Sequence, residues 1–173
     1  MQKSMVIGAS GELGSENTVE LNIQEVGEVD VDRDAPVIVH LSIEINAAPE
    51  TVWRIQTGIE QWPTWQKDIS RAQLAGSIAA GSTFRWETHG LDIVSTIREV
   101  VPMRRIVWGG PAHGIVGIHA WSITPASQGV LVHTTESWNG PAVTADPGGM
   151  RAALISSLAD WLSALKTTAE AAN

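Results

Sequence analysis

The chain has 173 residues and 43% of them are hydrophobic, which is a normal share for one globular domain. It has no cysteine, which excludes disulfides, thiolate metal sites and cysteine nucleophiles. Its net charge of −8 argues against nucleic-acid binding. No apolar run approaches the ~20 residues of a membrane span, and the apolar patch near the first residue is too short for a signal peptide, so we expect a cytoplasmic protein.

The first 36 residues differ in charge from the rest. Residues 1–35 carry eight acidic and two basic side chains, so most of the net charge lies there. We predict an acidic extension over residues 1–36, partly strand or flexible, and a folded domain over residues 37–171. Alternation of Val19, Leu21 and Ile23 places an extra edge strand at about residues 18–24. The segment could pair with its own sheet, stay loose, or cross to a neighbouring chain in a homodimer.

A glycine-rich stretch, MVIGASGELG at residues 5–14, looks like the phosphate-binding turn of a dinucleotide-binding domain. Such a turn needs a strand before it and a helix after it, so that the helix amino terminus can hold the pyrophosphate. Here the preceding strand has at most three residues, and residues 15–31 have no helical stripe. We therefore expect that this stretch binds no nucleotide. We also expect no other cofactor.

From residue 37 the elements are readable in chain order. Residues 37–45 have apolar side chains at odd positions, which predicts a half-buried strand. Pro49 and Glu50 suit the first turn of a short helix that Gly58 ends, and a second short helix follows around Pro63. Glycine and proline turns then separate six further predicted strands, at residues 69–74, 82–89, 91–101, 104–108, 115–123 and 130–138.

A long helix closes the domain. Asp146 can cap it and Pro147 fits its first position. Apolar residues recur along it at steps of three and four and form one stripe, made of Met150, Leu154, Leu158, Trp161, Leu162 and Leu165. The predicted fold class is α+β: a curved antiparallel sheet of six to seven strands grips this helix, and two short helices after the first strand close one end.

Several segments occur in a characteristic order. They are IEINAAPETVW (43–53), WPTW (62–65), GSTFRW (81–86), IREVVP (97–102), RIVW (105–108), HAWSITP (119–125) and ESW (136–138). As a set they resemble the START/SRPBCC superfamily in its polyketide cyclase/dehydrase-like branch. The resemblance implies a helix-grip fold with a deep cavity under the last helix. It fixes no reaction, because the superfamily includes cyclases, lipid carriers, hormone receptors and hydrolase-like proteins. Residues 1–36 lie outside the pattern.

Tryptophan dominates the aromatic residues, with eight Trp, one Phe and no Tyr, and this favours a Trp-lined cavity. Strand alternation turns the Phe84/Trp86 face inward. Pairing Ile123 with Val130 puts His119 and Glu136 on one inner face, diagonally apart. The predicted ligand-binding residues are Phe84, Trp86, Trp108, His113, His119, Trp121, Glu136, Trp138, Met150, Leu154 and Leu158. Trp86, Trp121 and Trp138 are the expected liners, whereas Trp53, Trp65 and Trp161 are expected to hold the helices to the sheet.

His119 and Glu136 are the candidate catalytic residues. Burial tends to raise the pKa of a glutamate, and a nearby carboxylate favours a protonated histidine. The pair could give general acid–base help to an enolisation, dehydration or aldol-type cyclisation, or it could be a structural hydrogen bond at the cavity rim. We expect no metal, because no ligand cluster has zinc-site spacing, and no serine hydrolase, because the Gly-Xaa-Ser-Xaa-Gly motif is missing.

Three functions remain open, and the first is favoured. The chain binds a small hydrophobic molecule, of polycyclic or polyketide-like kind, in the cavity. Alternatively it is a cofactor-independent cyclase/dehydratase that acts on a polyketide-type substrate there. The third alternative is an interaction module whose acidic extension docks on a basic partner.

Overall fold

The computed structural model describes residues 30–172. Seven strands form one antiparallel sheet in the order β1-β7-β6-β5-β4-β3-β2. The strands are β1 (Val37–Ile45), β2 (Ile69–Ala75), β3 (Thr83–Thr88), β4 (Leu91–Val101), β5 (Arg105–Ala112), β6 (Ile115–Ala126) and β7 (Gly129–Asn139). The helices are α1 (Pro49–Thr57), a 3₁₀ helix (Ile59–Thr64), α2 (Pro141–Ala145) and α3 (Pro147–Ala171). The predicted helix-grip fold is confirmed.

The cap predicted for the long helix is present. Asp146 precedes α3, its carboxylate accepts the Gly149 N–H at 2.9 Å, and Pro147 occupies the first turn, where its missing N–H costs nothing. The short helix α2, directly before this cap, was not predicted. None of the helices that the structure describes is both long and apolar enough to cross a membrane.

Two strands run past residues at which the sequence predicted them to end. β5 continues through Gly109, Gly110 and Pro111, which all pair with β6. The two strands approach so closely there that a Cβ at Gly109 would collide with the backbone of Gly117, so the glycine permits the pairing. β6 continues through Pro125. The Ile123 N–H donates to the Arg104 carbonyl on the β5 side. The backbone nitrogen of Pro125 faces the same side, but β5 does not reach that far, so the missing N–H of the proline costs no ladder hydrogen bond.

The register between β6 and β7 differs from the prediction by two residues. Ile123 pairs with Val132, and His119 pairs directly with Glu136. Both strands extend to a two-residue turn at Ser127 and Gln128, which moves the pairing without changing which face each side chain occupies. The predicted diagonal relation of His119 and Glu136 is therefore wrong, and their predicted placement on one face is right.

The β6–β7 turn end of the interior is closed. The short helices insert Val52, Ile55, Ile59 and Trp62 into the main apolar cluster, together with inner-face residues of the strands. Trp62 is fully buried, and its indole N–H donates to the Gln56 carbonyl at 2.9 Å. A second cluster joins α3 to the edge strand β1 through Leu154, Leu158, Val37, Val39 and Val143.

Residues 30–36, the described part of the predicted acidic extension, lie on the outer face of the sheet. Val31 is buried there in a cluster with Val107, Ile118 and Ala120. The Asp32 N–H donates to the Ser137 hydroxyl at 3.0 Å, and its carboxylate accepts the Asn139 amide at 2.8 Å. The predicted strand at residues 18–24 and the glycine-rich stretch at 5–14 lie outside the described residues.

Candidate functional site

A cavity of about 440 Å³ lies between α3 and the end of the sheet remote from the β6–β7 turn. Its sheet wall comes from the carboxyl ends of β3, β5 and β7 and the amino ends of β4 and β6, which meet there because the strands are antiparallel. Glycines shape this wall. Gly110 and Gly117 face inward without side chains, and the backbone of Gly109 also borders the cavity.

The helix wall is a stripe of α3 that shares only Trp161 with the predicted apolar stripe. Ala153, Ser156, Ser157, Asp160 and Trp161 recur at helical spacing and line the cavity. The first half of the apolar stripe lies beside it and packs on Val37 and Val39 of the edge strand β1. Three predicted ligand-binding residues, Met150, Leu154 and Leu158, therefore contact the β1 side and do not line the cavity.

Four tryptophans line the cavity: Trp86, Trp108, Trp138 and Trp161. Three of these were among the predicted ligand-binding residues. Trp161 was expected only to hold the helix, and it also does so, since its ring contacts Trp62 and Trp121 in the core. Phe84 and Trp121 are buried in the closed core, away from the cavity lining. Trp53 and Trp65 pack against the same core, as expected.

His119 and Glu136 meet at the buried side of the cavity. The Nδ1 atom of His119 lies 3.2 Å from Oε2 of Glu136. Its Nε2 atom lies 2.7 Å from the Thr134 hydroxyl, which fixes the ring from behind. The indole N–H of Trp138 donates to the other carboxyl oxygen, Oε1, at 2.7 Å. These contacts hold both side chains in one orientation, so a molecule that enters the cavity meets them without a rearrangement of the site.

Burial shifts the pKa values of both groups toward their neutral forms. It raises the pKa of Glu136 to about 7, although the hydrogen bond from Trp138 works in the opposite direction. It lowers the pKa of His119 to about 3, which is the opposite of the direction expected from a neighbouring carboxylate, because desolvation of the ring dominates. Near neutral pH, the imidazole is therefore neutral and the carboxyl group is poised between its two protonation states.

The mouth carries polar residues from two hairpin tips and from α3. His89-Gly90 and His113-Gly114 form two-residue turns with positive φ at both positions, as the type I′ hairpin turn requires. His113 lines the mouth, where its Nε2 lies 3.1 Å from the Asp92 carbonyl. Asp160 on α3 lies 3.5 Å from the exposed Lys67 ammonium.

Sequence reasoning missed Gln66, Asp68, Ser156 and Ser157, all of which line the cavity. The polar stripe at 153, 156, 157 and 160 was readable as a periodic feature, because its members share one helix face. Its small side chains leave room opposite the sheet. Among residues 30–172, no three His, Asp or Glu side chains are placed to share a metal ion.

Solved structures share this architecture. A START superfamily protein from Mycobacterium smegmatis is 17% identical, with 79% of this chain and 99% of that chain covered and a TM-score of 0.68. A hypothetical protein from Helicobacter pylori is 15% identical, with 96% and 99% covered and a TM-score of 0.70. The di-domain ARO/CYC protein StfQ of the steffimycin biosynthetic pathway is 16% identical, with 78% and 50% covered and a TM-score of 0.64. At these identities the likeness shows the fold.

A sequence search among curated proteins returned no match. The sequence profile of one family, described as polyketide cyclase / dehydrase and lipid transport, matches residues 36–170. That range holds the whole sheet and nearly all of α3. The chain belongs to the polyketide cyclase / dehydrase and lipid transport family, in the START/SRPBCC superfamily that its segment order resembles.

Proposed function

We propose that the cavity binds a small hydrophobic molecule with a flat, unsaturated ring system. The observation that carries the proposal is the cavity itself: about 440 Å³, lined by four tryptophans, with one buried hydrogen-bonding pair. Ligand sites in proteins typically measure ~300–1,000 Å³ and combine apolar walls with a few placed polar groups. Indole rings offer large rigid surfaces that stack on other rings at little entropic cost.

The polar groups define how such a ligand would lie. His119 and Glu136 sit at the buried side, and Ser156 and Ser157 of α3 face the opposite wall. A ring system with oxygen or nitrogen atoms at its edge could form further hydrogen bonds with the Glu136 carboxyl group and the serine hydroxyls, whereas a saturated chain would form none. The proposal therefore favours flat heteroatom-bearing ligands over alkyl chains.

Intrinsic tryptophan fluorescence tests this proposal. A panel of polycyclic aromatics, sterols and fatty acids is titrated into the protein, and native mass spectrometry of freshly purified protein looks for a co-purified molecule. We expect saturable quenching with the flat ring compounds, and we expect it to fall in Trp138→Phe, which alters the cavity wall. Trp53→Phe is the matched control, because Trp53 packs outside the cavity. A panel without any spectral change, together with protein free of adducts, would contradict the proposal.

A second candidate function, a cofactor-independent cyclase/dehydratase, is favoured by the protonation of the His119–Glu136 pair. A carboxyl group with a pKa of about 7 can both accept and return a proton at neutral pH. For a β-hydroxy carbonyl compound, the Glu136 carboxylate would take the proton on the carbon next to the carbonyl. The C–O bond then breaks as the C=C bond forms, and the carboxylic acid returns the proton to the leaving hydroxide, which departs as water.

In this reaction His119 is a positioning residue. Its Nδ1 faces Glu136, and its Nε2 faces Thr134. The test uses a polyketide-type β-hydroxy ketone that first gives saturable quenching in the fluorescence assay, and mass spectrometry follows its loss of one water. Glu136→Gln is expected to keep the fluorescence response and to lose about 10²–10⁴-fold in turnover. Equal turnover in wild type and variant would eliminate this second candidate and leave the binding function intact.

A further inference from the structure

The charged side chains that line the cavity are all acidic. Glu136 lies at the buried side, and Asp68 and Asp160 lie nearer the mouth. Among the described residues that line the cavity there is no lysine or arginine, and the basic groups are the imidazoles of His89, His113 and His119. Lys67 lies 4.0 Å from the Asp68 carboxylate and 3.5 Å from the Asp160 carboxylate, and its side chain is 74% exposed, so water screens its charge. The interior therefore favours cations over anions.

Glu136 has polar partners but no cationic one. Trp138 donates a neutral N–H, and the low pKa of His119 keeps its ring neutral. The residue opposite on β1 is Val39, and the facing stripe of α3 offers Ser157 and Asp160. An ionised carboxylate in this position would be compensated only if a positive charge entered the cavity.

The aromatic wall reaches the carboxylate through continuous ring contacts. Trp86 and Trp161 have ring centroids 5.9 Å apart, and Trp161 and His119 have theirs 5.7 Å apart. Trp108 also contacts His119, at 5.0 Å, and Trp138 touches Glu136 through its N–H. Indole is the ring that attracts ammonium groups most strongly, within about 6 Å of its centroid. Tryptophans beside one half-buried carboxylate are an arrangement that can bind an ammonium group.

We infer that the ligand of this cavity is cationic: a flat hydrophobic body bearing an amine or quaternary ammonium group, with its charge placed beside Glu136 and the surrounding indoles. The inference rests on the proposed function, because it names the ligand class of the same cavity. It also excludes fatty acids and other carboxylates as preferred ligands, since they would meet Glu136, Asp68 and Asp160 without any compensating base from the lining.

A pH dependence follows from the charges. A bound cation favours the ionised carboxylate, so its affinity rises as pH increases through the pKa of Glu136, about 7. The other titratable groups that line the cavity are Asp68 and Asp160 and the imidazoles of His89, His113 and His119. Burial lowers the pKa of His119 to about 3, so its ring stays neutral over this range.

The test compares three probes of one shape. They are 9-anthracenylmethyl-trimethylammonium, its uncharged isostere with carbon in place of nitrogen, and 9-anthracenylacetate. Energy transfer from tryptophan to anthracene reports binding to the full chain. At pH 8 we expect the cation to bind at least about tenfold more tightly than the neutral isostere, and the anion to bind most weakly. Between pH 5.5 and pH 8 the affinity for the cation is expected to rise, while the affinity for the neutral isostere stays constant.

Glu136→Gln is expected to reduce the cation preference to threefold or less while leaving the neutral isostere unchanged, which also shows that the variant cavity is folded. Glu60→Gln, an exposed carboxylate outside the lining, is the matched control for net charge. If cation and isostere bind equally in the wild type, the inference is wrong and the proposed function stands. If Glu136→Gln keeps the full cation preference, the inference is also wrong. If none of the three probes binds, the proposed function itself fails.

Discussion

The two ends of the space between the sheet and α3 are built from the same strands, yet one is closed and the other is open. Along the inner face of β6, Ile123 and Trp121 are buried in the closed end, and His119 and Gly117 continue the row into the cavity. On β7, Val132 gives way to Glu136 in the same manner. The cavity thus arises where small or polar residues replace large apolar ones along uninterrupted strands, with no change of fold.

The comparison predicts that stability resides at the closed end. Trp62→Ala removes a fully buried ring that contacts Phe84, Trp108 and Trp161, so it is expected to cost about 3–5 kcal/mol of unfolding free energy. Trp138→Ala removes a half-buried ring at the open end and is expected to cost about 1–2 kcal/mol. Urea unfolding of both variants measures the difference. Equal losses of unfolding free energy in the two variants would contradict the prediction, because the two ends would then contribute equally to stability.

The same contrast exists between the two faces of α3. Leu158→Ala empties a buried position against β1 and is expected to cost about 2–5 kcal/mol. Ser157→Ala, one residue away on the cavity stripe, is expected to change the unfolding free energy by no more than about 0.5 kcal/mol. The ligand response should be retained in Leu158→Ala, because Leu158 does not line the cavity. A lost response in a folded Leu158 variant would show that the apolar stripe shapes the site after all.

The sequence predicted the fold and the sharing of faces better than the distances within the site. Strand alternation has a period of two, so His119 and Glu136 were placed on one face even though the predicted register was wrong by two residues. The register depended on the length of the turn, which alternation does not report. Helical periodicity showed the Leu154–Leu158 stripe, but it could not tell that this stripe meets β1. That depends on how α3 sits across the sheet, which is a tertiary property.

Glu136 provides a test of the open end by pH. Its folded pKa of about 7 lies above the unfolded value, so the folded protein loses stability as pH rises from about 4.5 to 7, because the carboxyl group ionises in the unfolded chain while it stays protonated in the folded one. Glu136→Gln lacks this loss, so its stability relative to wild type is expected to increase over that window, by on the order of 2 kcal/mol, and to level off above it.

The depressed pKa of His119 destabilises the fold as pH falls below 6.5, and it does so in both proteins, so it cancels to first order. Urea unfolding at several pH values measures the difference between wild type and variant. A pH-independent difference would show that Glu136 is solvated well enough to ionise at its ordinary pKa.

Gly117→Ala is expected to change stability little and ligand affinity more. A methyl group there would lie 3.5 Å from the Trp138 ring and 3.6 Å from Glu136 Oε1, which is ordinary contact. Replacing a strand glycine reduces the entropy of the unfolded chain, so we expect the variant to be as stable as wild type or more stable by up to about 1 kcal/mol. The same methyl occupies cavity space beside the predicted ligand, so probe affinity should fall several-fold.

Gly148→Ala, on an exposed first turn of α3 with no close neighbour, is the matched control and should leave affinity unchanged. A Gly117 variant that binds the anthracene probes as tightly as wild type would place the ligand away from Glu136, toward the mouth of the cavity.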